Sequence, residues 1–261
     1  MINCAQKKRG RVKMIIIFAI DALEYDKVEE YECKNLKQDF YGKTDISEFS
    51  QPRTMVLWSS FMTGENKEKD VLKDGDKEMW DKKWPLEQTF FSEFMNPVVL
   101  DLPGYSYDKE VHDKSRELLK NYFETKDKEE KDNIRKQYNK DAFEHHRKIK
   151  KEFFKALEQG EKEHELVLGY FSAADVIGHL NFGNNAMMKM IYRDLDEIAE
   201  KISKKGKLII LSDHGMKAIG MFGEHSTYGF WSTNFKTGLN NPRITDFYDL
   251  IIDLKDKKKK S

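Results

Sequence analysis

Two chemically active side chains stand directly behind an apolar segment near the end of this sequence. The segment KLIILS, residues 207–212, is followed at once by Asp213 and His214. A turn would account for the acid, because Asp and Gly are common in loops after strands. Asp21, however, follows the apolar segment MIIIFAI (14–20) in the same way. The repeated arrangement favours a shared site at the ends of these segments.

A third apolar segment is followed by the same residue types. ELVLGYF (165–171) precedes Asp175 and His179, and His225 follows farther along in GEHS. The four-residue step from Asp175 to His179 puts both side chains on one face of a helix. Carboxylate and imidazole groups suit zinc or manganese, and the absence of cysteine from the set excludes a thiolate zinc site. The pattern therefore predicts a metal site.

Thr54 is a candidate of a different kind. The segment TMVLWSSFMTG is predicted to form a short helix that begins after Pro52 and ends at Gly64. Thr54 then lies at or near the helix N-terminus, where backbone N–H groups and the helix dipole favour an anion. Its hydroxyl fits two compatible roles, as a helix cap and as a nucleophile activated by a bound cation.

Four apolar segments are predicted to be buried strands of one parallel sheet, because they are short and rich in Val, Ile and Leu. These segments are residues 14–20, 97–102, 165–171 and 207–212. Between the last two, apolar residues recur at three- and four-residue steps from Met187 to Ile202, which predicts a helix. The order strand–helix–strand indicates an α/β fold with helices on both faces of the sheet. Ligands of such sheets collect at the carboxyl ends of the strands, where the candidate residues lie.

The chain is predicted to be a single catalytic domain, 1–261, with two inserted segments. Residues 107–163 alternate charged and sparse apolar residues, which predicts two or three surface helices. The shorter polar segment 65–95 is expected to contribute helix and loop. Both segments are expected to form a cap over the metal-binding edge, with Tyr105 or Tyr107 approaching the site.

Composition limits the partners and the location of the protein. Lys+Arg and Asp+Glu number 46 each, so no long-range attraction to nucleic acid or to a membrane surface is expected. The basic lead, the segment KKRGRVK, resembles the start of a secretion signal. The apolar stretch that follows it ends at Asp21 and is too short for a secretion signal or a membrane span. We therefore expect a cytoplasmic protein. Cys4 and Cys33 indicate neither a metal-binding spacing nor a disulfide framework.

In their order along the chain, these residues resemble the alkaline phosphatase superfamily, and most closely its type I phosphodiesterase/nucleotide pyrophosphatase branch. The family pattern is an Asp after the first strand, a Thr nine residues before Thr-Gly, Asp-x-x-Gly-His, Ser-Asp-His-Gly-Met and a further His. The matching residues here are Asp21, Thr54, Asp175, His179, Asp213, His214 and His225. The resemblance implies an alkaline-phosphatase-like three-layer sandwich, with a mostly parallel central sheet, helices on both faces and a helical insertion.

The resemblance also implies roles for these residues. One divalent metal ion would be held by Asp21, Thr54, Asp213 and His214, and a second by Asp175, His179 and His225. Thr54 would attack phosphorus to form a covalent phosphothreonine, which water then hydrolyses. Both ions are expected to be zinc, with manganese as the alternative. The implied substrate is a small phosphate ester or a nucleotide.

Two departures from the family pattern concern the substrate. Ala22 stands where the family commonly has glycine, and TMVL replaces the family's Thr-Phe-Pro-Asn. Contacts to phosphate and nucleotide are therefore left open, with Trp58, Trp84 and Tyr105 as candidates for stacking on a base. The alternatives to a phosphodiesterase are a phosphomonoesterase or phosphomutase of the same superfamily, and a non-catalytic binding module with the same fold.

Overall fold

The computed structural model describes residues 14–73, 75–160 and 162–259, and a six-stranded sheet forms its centre. The strands are β1 (Ile15–Ile20), β2 (Phe40–Asp45), β3 (Val98–Leu100), β4 (Leu166–Phe171), β5 (Lys207–Leu211), β6 (Met216–Ile219), β7 (Phe222–His225) and β8 (Tyr228–Thr233). The central sheet has the order β2–β8–β5–β1–β4–β3, while β6 and β7 form a separate hairpin.

The central sheet is mostly parallel, as predicted. Strands β5, β1, β4 and β3 run parallel to one another, and these are the four strands that the apolar segments predict. Strand β8 is antiparallel to both β5 and β2. The apolar pattern predicts neither β2 nor β8, nor the β6–β7 hairpin.

Helices cover both faces of this sheet. They are α1 (Tyr25–Glu30), α2 (Thr54–Thr63), α3 (Glu68–Leu72), α4 (Lys109–Glu124), α5 (Lys128–Gln159), α6 (Ala173–Asn181), α7 (Asn185–Ile202) and α8 (Asp246–Lys259). Three short 3₁₀ turns, Glu78–Asp81, Leu86–Gln88 and Phe90–Glu93, follow α3. The predicted helix before β5 is α7, and the predicted α/β class with helices on both faces is confirmed.

Strand β1 divides the core into two layers. Successive strand residues point to opposite faces, so Ile16 and Phe18 pack with α5 and α7, whereas Ile15 and Ile17 pack with α2 and α8. Every residue of β1 is buried. This burial on both faces explains why the segment is continuously apolar instead of alternating.

The segment 107–163 forms α4 and α5, which connect β3 to the parallel strand β4. Most charged residues of both helices are exposed, but Ile149, Phe153 and Leu157 of α5 are buried against the sheet. The ring of Phe153 lies 5.6 Å from that of Phe171 on β4. The C-terminal half of α5 is therefore a surface helix that packs one apolar face on the sheet.

Two further observations concern membrane-spanning helices and the two cysteines. Within the described residues, no helix combines the length and the apolar character needed to cross a membrane. Cys33 is buried, whereas Cys4 and the basic lead lie outside the described residues.

Candidate metal centre

The carboxyl ends of two adjacent strands form one half of the candidate site. Asp21 follows β1, and Asp213 and His214 follow β5, which pairs with β1 in parallel. All three side chains are buried. The Nε2 atom of His214 lies 3.4 Å from Asp21 Oδ1 and 3.4 Å from Asp213 Oδ2. The strand order thus brings together residues that are far apart in sequence.

Thr54 reaches this cluster because it is the first residue of α2. The N-cap is the extended residue Arg53, so the capping role considered for Thr54 is wrong. The Thr54 hydroxyl instead lies 3.2 Å from Nε2 of His214. Helix α2 ends as predicted before Gly64, whose φ of 73° belongs to the left-handed region that glycine adopts without strain.

Helix α6 and the β6–β7 hairpin form the other half. Asp175 and His179 lie one turn apart on α6, with Asp175 Oδ1 3.3 Å from Nε2 of His179. The same oxygen lies 3.2 Å from Nε2 of His225, the last residue of β7. The rings of His225 and His214 stack with centroids 3.8 Å apart. This contact joins the two halves, so the fold assembles all seven predicted residues at one edge of the sheet.

The distances between these atoms suit ligands that share an ion. Zinc–ligand bonds of about 2.0–2.1 Å in a tetrahedron separate neighbouring ligand atoms by about 3.3 Å. The separations in both halves are between 3.2 and 3.4 Å. Asp21 Oδ1 and both carboxylate oxygens of Asp213 are also buried without a hydrogen-bond partner in the described part of the chain. Such oxygens are costly unless a cation binds them, so the donor set fits divalent metal ions.

The raised pKa values of the buried carboxylates also favour bound metal ions. Burial, reinforced by the nearby charge of Asp175, raises the pKa of Asp21 to about 7. Burial and the charge of Asp21 raise the pKa of Asp213 well above its ordinary value. Carboxylates held this close disfavour one another's charged form. A divalent cation removes that penalty and allows all of them to ionise.

The imidazoles are oriented by backbone carbonyls. The Nδ1–H of His214 donates to the carbonyl of Gly215 at 3.0 Å, and burial keeps the pKa of His214 well below its ordinary value. Its neutral Nε2 is therefore free to act as a ligand. His225 donates from Nδ1 to the Pro52 carbonyl at 2.9 Å. Burial opposes protonation of His225, but Asp175 outweighs it and raises the pKa of His225 to about 9, so a cation bound here would displace a proton.

Tyr170 orients the aspartate that follows β1. Its hydroxyl, on the buried strand β4, donates to Asp21 Oδ2 at 2.5 Å. Groups that orient metal ligands typically contribute ten- to hundred-fold to metal affinity. We expect Tyr170→Phe to weaken metal binding by about tenfold or more, measured by titration against a competing chelator. Tyr138→Phe, at another buried tyrosine, is the control, and an equal loss in both variants would contradict a positioning role.

A cavity of 220 Å³ opens onto the metal centre. Five of the candidate residues line it, together with side chains from the segments 65–95 and 107–163. The segment 65–95 contributes Trp80, and the segment 107–163 contributes Tyr107, His112, Ser115, Arg116, Leu119 and Tyr138. Four of them lie at three- and four-residue steps along α4, so one face of this helix forms a wall of the cavity.

The aromatic residues considered for stacking on a base lie elsewhere. Trp58 is fully buried in the core, and the Trp84 ring nitrogen donates to a serine hydroxyl of α2 at 2.8 Å. Tyr105 packs its ring 4.8 Å from that of Phe91 and does not line the cavity. The prediction is wrong for these three residues. Tyr107 does line the cavity, with its own ring stacked on that of His112.

A cluster that the sequence reasoning missed lies behind this wall. Asp101 Oδ2 accepts hydrogen bonds from Nε2 of His112 at 2.8 Å and from Nε2 of His145 at 2.6 Å. All three side chains are buried. Although they could be grouped as metal ligands, their separations are those of hydrogen bonds. The only sequence signal was an acid at the end of a predicted strand, and the cluster joins β3 to both following helices.

The stability of the protein is expected to depend on pH through this cluster. Burial opposes ionisation of Asp101, but the hydrogen bonds from His112 and His145 outweigh it and lower the pKa from 3.8 to about 2. That shift corresponds to about 2 kcal/mol, which is present above pH 3.8 and is lost as the pH falls towards 2. Burial also lowers the pKa of His112 below 6.5, so stability starts to fall once the pH drops below that value.

Asp101→Asn is expected to lower the free energy of unfolding at pH 7 by about 2 kcal/mol and to flatten its dependence on pH between about 4 and 2. Urea denaturation at a series of pH values measures both effects. Asp132→Asn, at an exposed position on α5, is the matched control. Wild-type stability of Asp101→Asn across this range would show that the cluster contributes nothing to the fold.

Comparisons with known proteins give one family match and two similar solved structures. The family model for type I phosphodiesterase / nucleotide pyrophosphatase matches residues 50–227, more than half of the chain. The match includes every candidate residue except Asp21, which β1 brings to the site. No curated protein matches the chain.

Two solved structures of one mouse protein are similar to this chain. Murine ectonucleotide pyrophosphatase / phosphodiesterase 5 has 14% identity and a TM-score of 0.43, covering 80% of this chain and 58% of that chain. An inactive threonine-to-alanine variant of the same murine protein, in complex with AMP, has 13% identity and a TM-score of 0.44 with the same coverage. The present chain therefore spans 58% of the length of these structures.

Proposed function

Because the chain belongs to the type I phosphodiesterase / nucleotide pyrophosphatase family, we propose that it is a metal-dependent phosphodiester hydrolase with a threonine nucleophile and two metal ions. The observation that carries this proposal is the position of Thr54. Its hydroxyl lies at the start of α2, 3.2 Å from Nε2 of His214, and that nitrogen lies 3.4 Å from carboxylate oxygens of Asp21 and Asp213. These oxygens are buried and lack hydrogen-bond partners among the described residues. Zinc suits this donor set, and manganese is the alternative.

The proposed ligands divide as the two halves of the site do. One ion would be held by Asp21, Thr54, Asp213 and His214, and the other by Asp175, His179 and His225. When bound, the ions would lower the pKa of the threonine hydroxyl and neutralise charge on the transferred phosphoryl group. Thr54 Oγ1 forms a bond to phosphorus as the bond from phosphorus to the leaving oxygen breaks. Water supplies the proton for that oxygen, accepts the threonine proton, and then hydrolyses the phosphothreonine.

Backbone groups of α2 are suited to hold the phosphoryl oxygens. The first intrahelical hydrogen bond runs from Leu57 N to Arg53 O at 3.0 Å. The N–H groups of residues 54–56 precede it, and such groups bind anions at helix N-termini. The side chain of Leu57, which replaces the family's asparagine, is apolar and fully buried, so it offers no hydrogen bond to a phosphate. This chain therefore relies on the backbone where the family pattern offers an amide.

The inserted segments are proposed to act as a cap. Trp80 and the cavity-lining face of α4 cover the metal centre from one side. Pockets that bury drug-sized ligands measure about 300–1,000 Å³, and this cavity, at 220 Å³, is smaller. The cap therefore favours a small phosphate ester, or one end of a nucleotide, over a polymer.

A panel of p-nitrophenyl monoesters, p-nitrophenyl diesters and dinucleotides, each tested with zinc, manganese and magnesium, examines the proposal. A phosphodiesterase hydrolyses the diesters faster than p-nitrophenyl phosphate. The opposite order would indicate a phosphomonoesterase, and phosphate transfer between hydroxyls without release would indicate a phosphomutase. Binding without turnover under all three metals would indicate a non-catalytic module.

A further inference from the structure

The candidate metal centre borders a second, more open cavity. This groove has a volume of 620 Å³, and its walls are the residues 51–53 before α2, the β6–β7 hairpin and Thr227. His179 and His225 line both the groove and the enclosed 220 Å³ cavity. The two spaces therefore meet at this pair of imidazoles.

Exposure shows that access to the centre passes this pair. The side chains of His179 and His225 are each 25% exposed, whereas those of Asp21, Asp213 and His214 are at most 4% exposed. A substrate that brings phosphorus to the centre must therefore extend from these histidines into one or both of the adjoining spaces.

From this geometry we propose that the groove is a binding subsite for the second organic substituent of a phosphodiester, a proposal that rests on the function proposed above. A diester carries two substituents on one phosphorus, and a monoester carries one. The enclosed cavity is below the size of pockets that bury drug-sized ligands, and the groove is within that range. The substrate class is thus an unsymmetrical phosphodiester with one compact and one extended substituent.

The linings indicate the chemistry of each substituent. The enclosed cavity presents the rings of Trp80, Tyr107 and Tyr138, which suit a compact aromatic or apolar group. The groove presents the charged side chains of Arg53, Lys217 and Glu224.

The ion pairs of the groove can be exchanged for contacts to a substrate. Arg53 pairs with Asp76, which is 75% exposed, and Lys217 pairs at 3.1 Å with Glu224, which is 57% exposed. Exposed pairs contribute only about 0–1 kcal/mol, so a ligand can replace the carboxylate at little cost. The extended substituent is therefore polar and rich in hydroxyl groups, as a nucleoside or a sugar is.

Two diesters that share a p-nitrophenyl group test this assignment, one with methyl and one with thymidine as the second substituent. Thr227→Trp places a large ring in the groove at an exposed position. It should lower kcat/KM for the thymidine ester by about tenfold or more, and leave the methyl ester within about twofold, since discrimination between substrates follows such pocket contacts. Ser115→Phe, in the enclosed cavity, should lower both. Ser47→Trp, exposed and outside both spaces, should change neither.

Binding measurements on an inactive variant test the subsite independently of the hydrolysis reaction. Calorimetry of the same esters with zinc-loaded Thr54→Ala, with and without Thr227→Trp, compares affinities without turnover. If Thr227→Trp weakens both esters equally, or neither, or if no ester binds, the groove is not a substituent site. If wild-type protein hydrolyses no ester but Thr227→Trp selectively weakens binding of the thymidine ester, the groove is a substituent site and the proposed hydrolase function is wrong.

Discussion

Thr54→Ala is expected to reduce kcat for a p-nitrophenyl diester by about 10,000-fold or more, because removing an attacking group has costs of this size in other hydrolases. The substitution deletes one hydroxyl at the start of α2 and leaves the packing of Met55 and Val56 in the core unchanged. The folded state and the ion held by α6 and β7 should persist. Steady-state kinetics and metal analysis of the same preparation measure the two expectations together.

Two variants control this experiment. Thr54→Ser retains a hydroxyl at the same backbone position and should lose much less activity. Thr63→Ala changes the last residue of α2, whose hydroxyl donates to the Ser59 carbonyl at 2.9 Å, and should be close to wild type. Near-normal turnover of Thr54→Ala would mean that Thr54 has only a structural role and that the nucleophile lies elsewhere.

The parallel strands could be predicted from sequence because they are buried on both faces. Such strands lose the alternating pattern and become continuous apolar segments, as β1 does. Strand β8 is also largely buried, but it contains Ser232 and Thr233. Their hydroxyls donate to the carbonyls of Leu36 and Phe235 at 2.6 and 2.8 Å. Since these partners are set by the tertiary structure, the polar residues concealed a core strand.

The same reasoning explains which parts of the site could be predicted. The motifs after β1, β4 and β5 gave five of the seven candidate residues, because the carboxyl ends of parallel strands meet at one edge. Thr54 came from the predicted helix, and His225 from the GEHS motif. These patterns did not give Asp101, whose hydrogen-bond partner His145 is 44 residues away. Nor could they place Trp58. Residues 54–62 of α2 are all buried, so no periodicity distinguishes the face that meets the site from the face that meets the sheet.

Metal analysis is expected to find two divalent ions per chain after loading with zinc or manganese, and a chelator should abolish turnover. Each ion bound only by the folded state should add about 2.7 kcal/mol to the free energy of unfolding at a free concentration 100 times its Kd. Loading should therefore raise the unfolding temperature in a concentration-dependent way. Lowering the pH should weaken the ion at Asp175, because His225, with its pKa of about 9, must lose a proton to bind it.

Substitutions in the two halves assign the ions. Asp213→Asn and Asp175→Asn should each reduce the metal content from two ions to one, since each removes a charged ligand from a different half. Asp101→Asn should keep both ions, because the 2.6 and 2.8 Å contacts of Asp101 are hydrogen bonds and leave no space for a metal between the atoms. Three ions in the wild type, with one lost in Asp101→Asn, would instead make that cluster a metal site. If no metal binds after incubation with zinc, the proposed hydrolysis loses its basis. The oxygens of Asp213, which lack a hydrogen-bond partner among the described residues, would then need another cation or a proton.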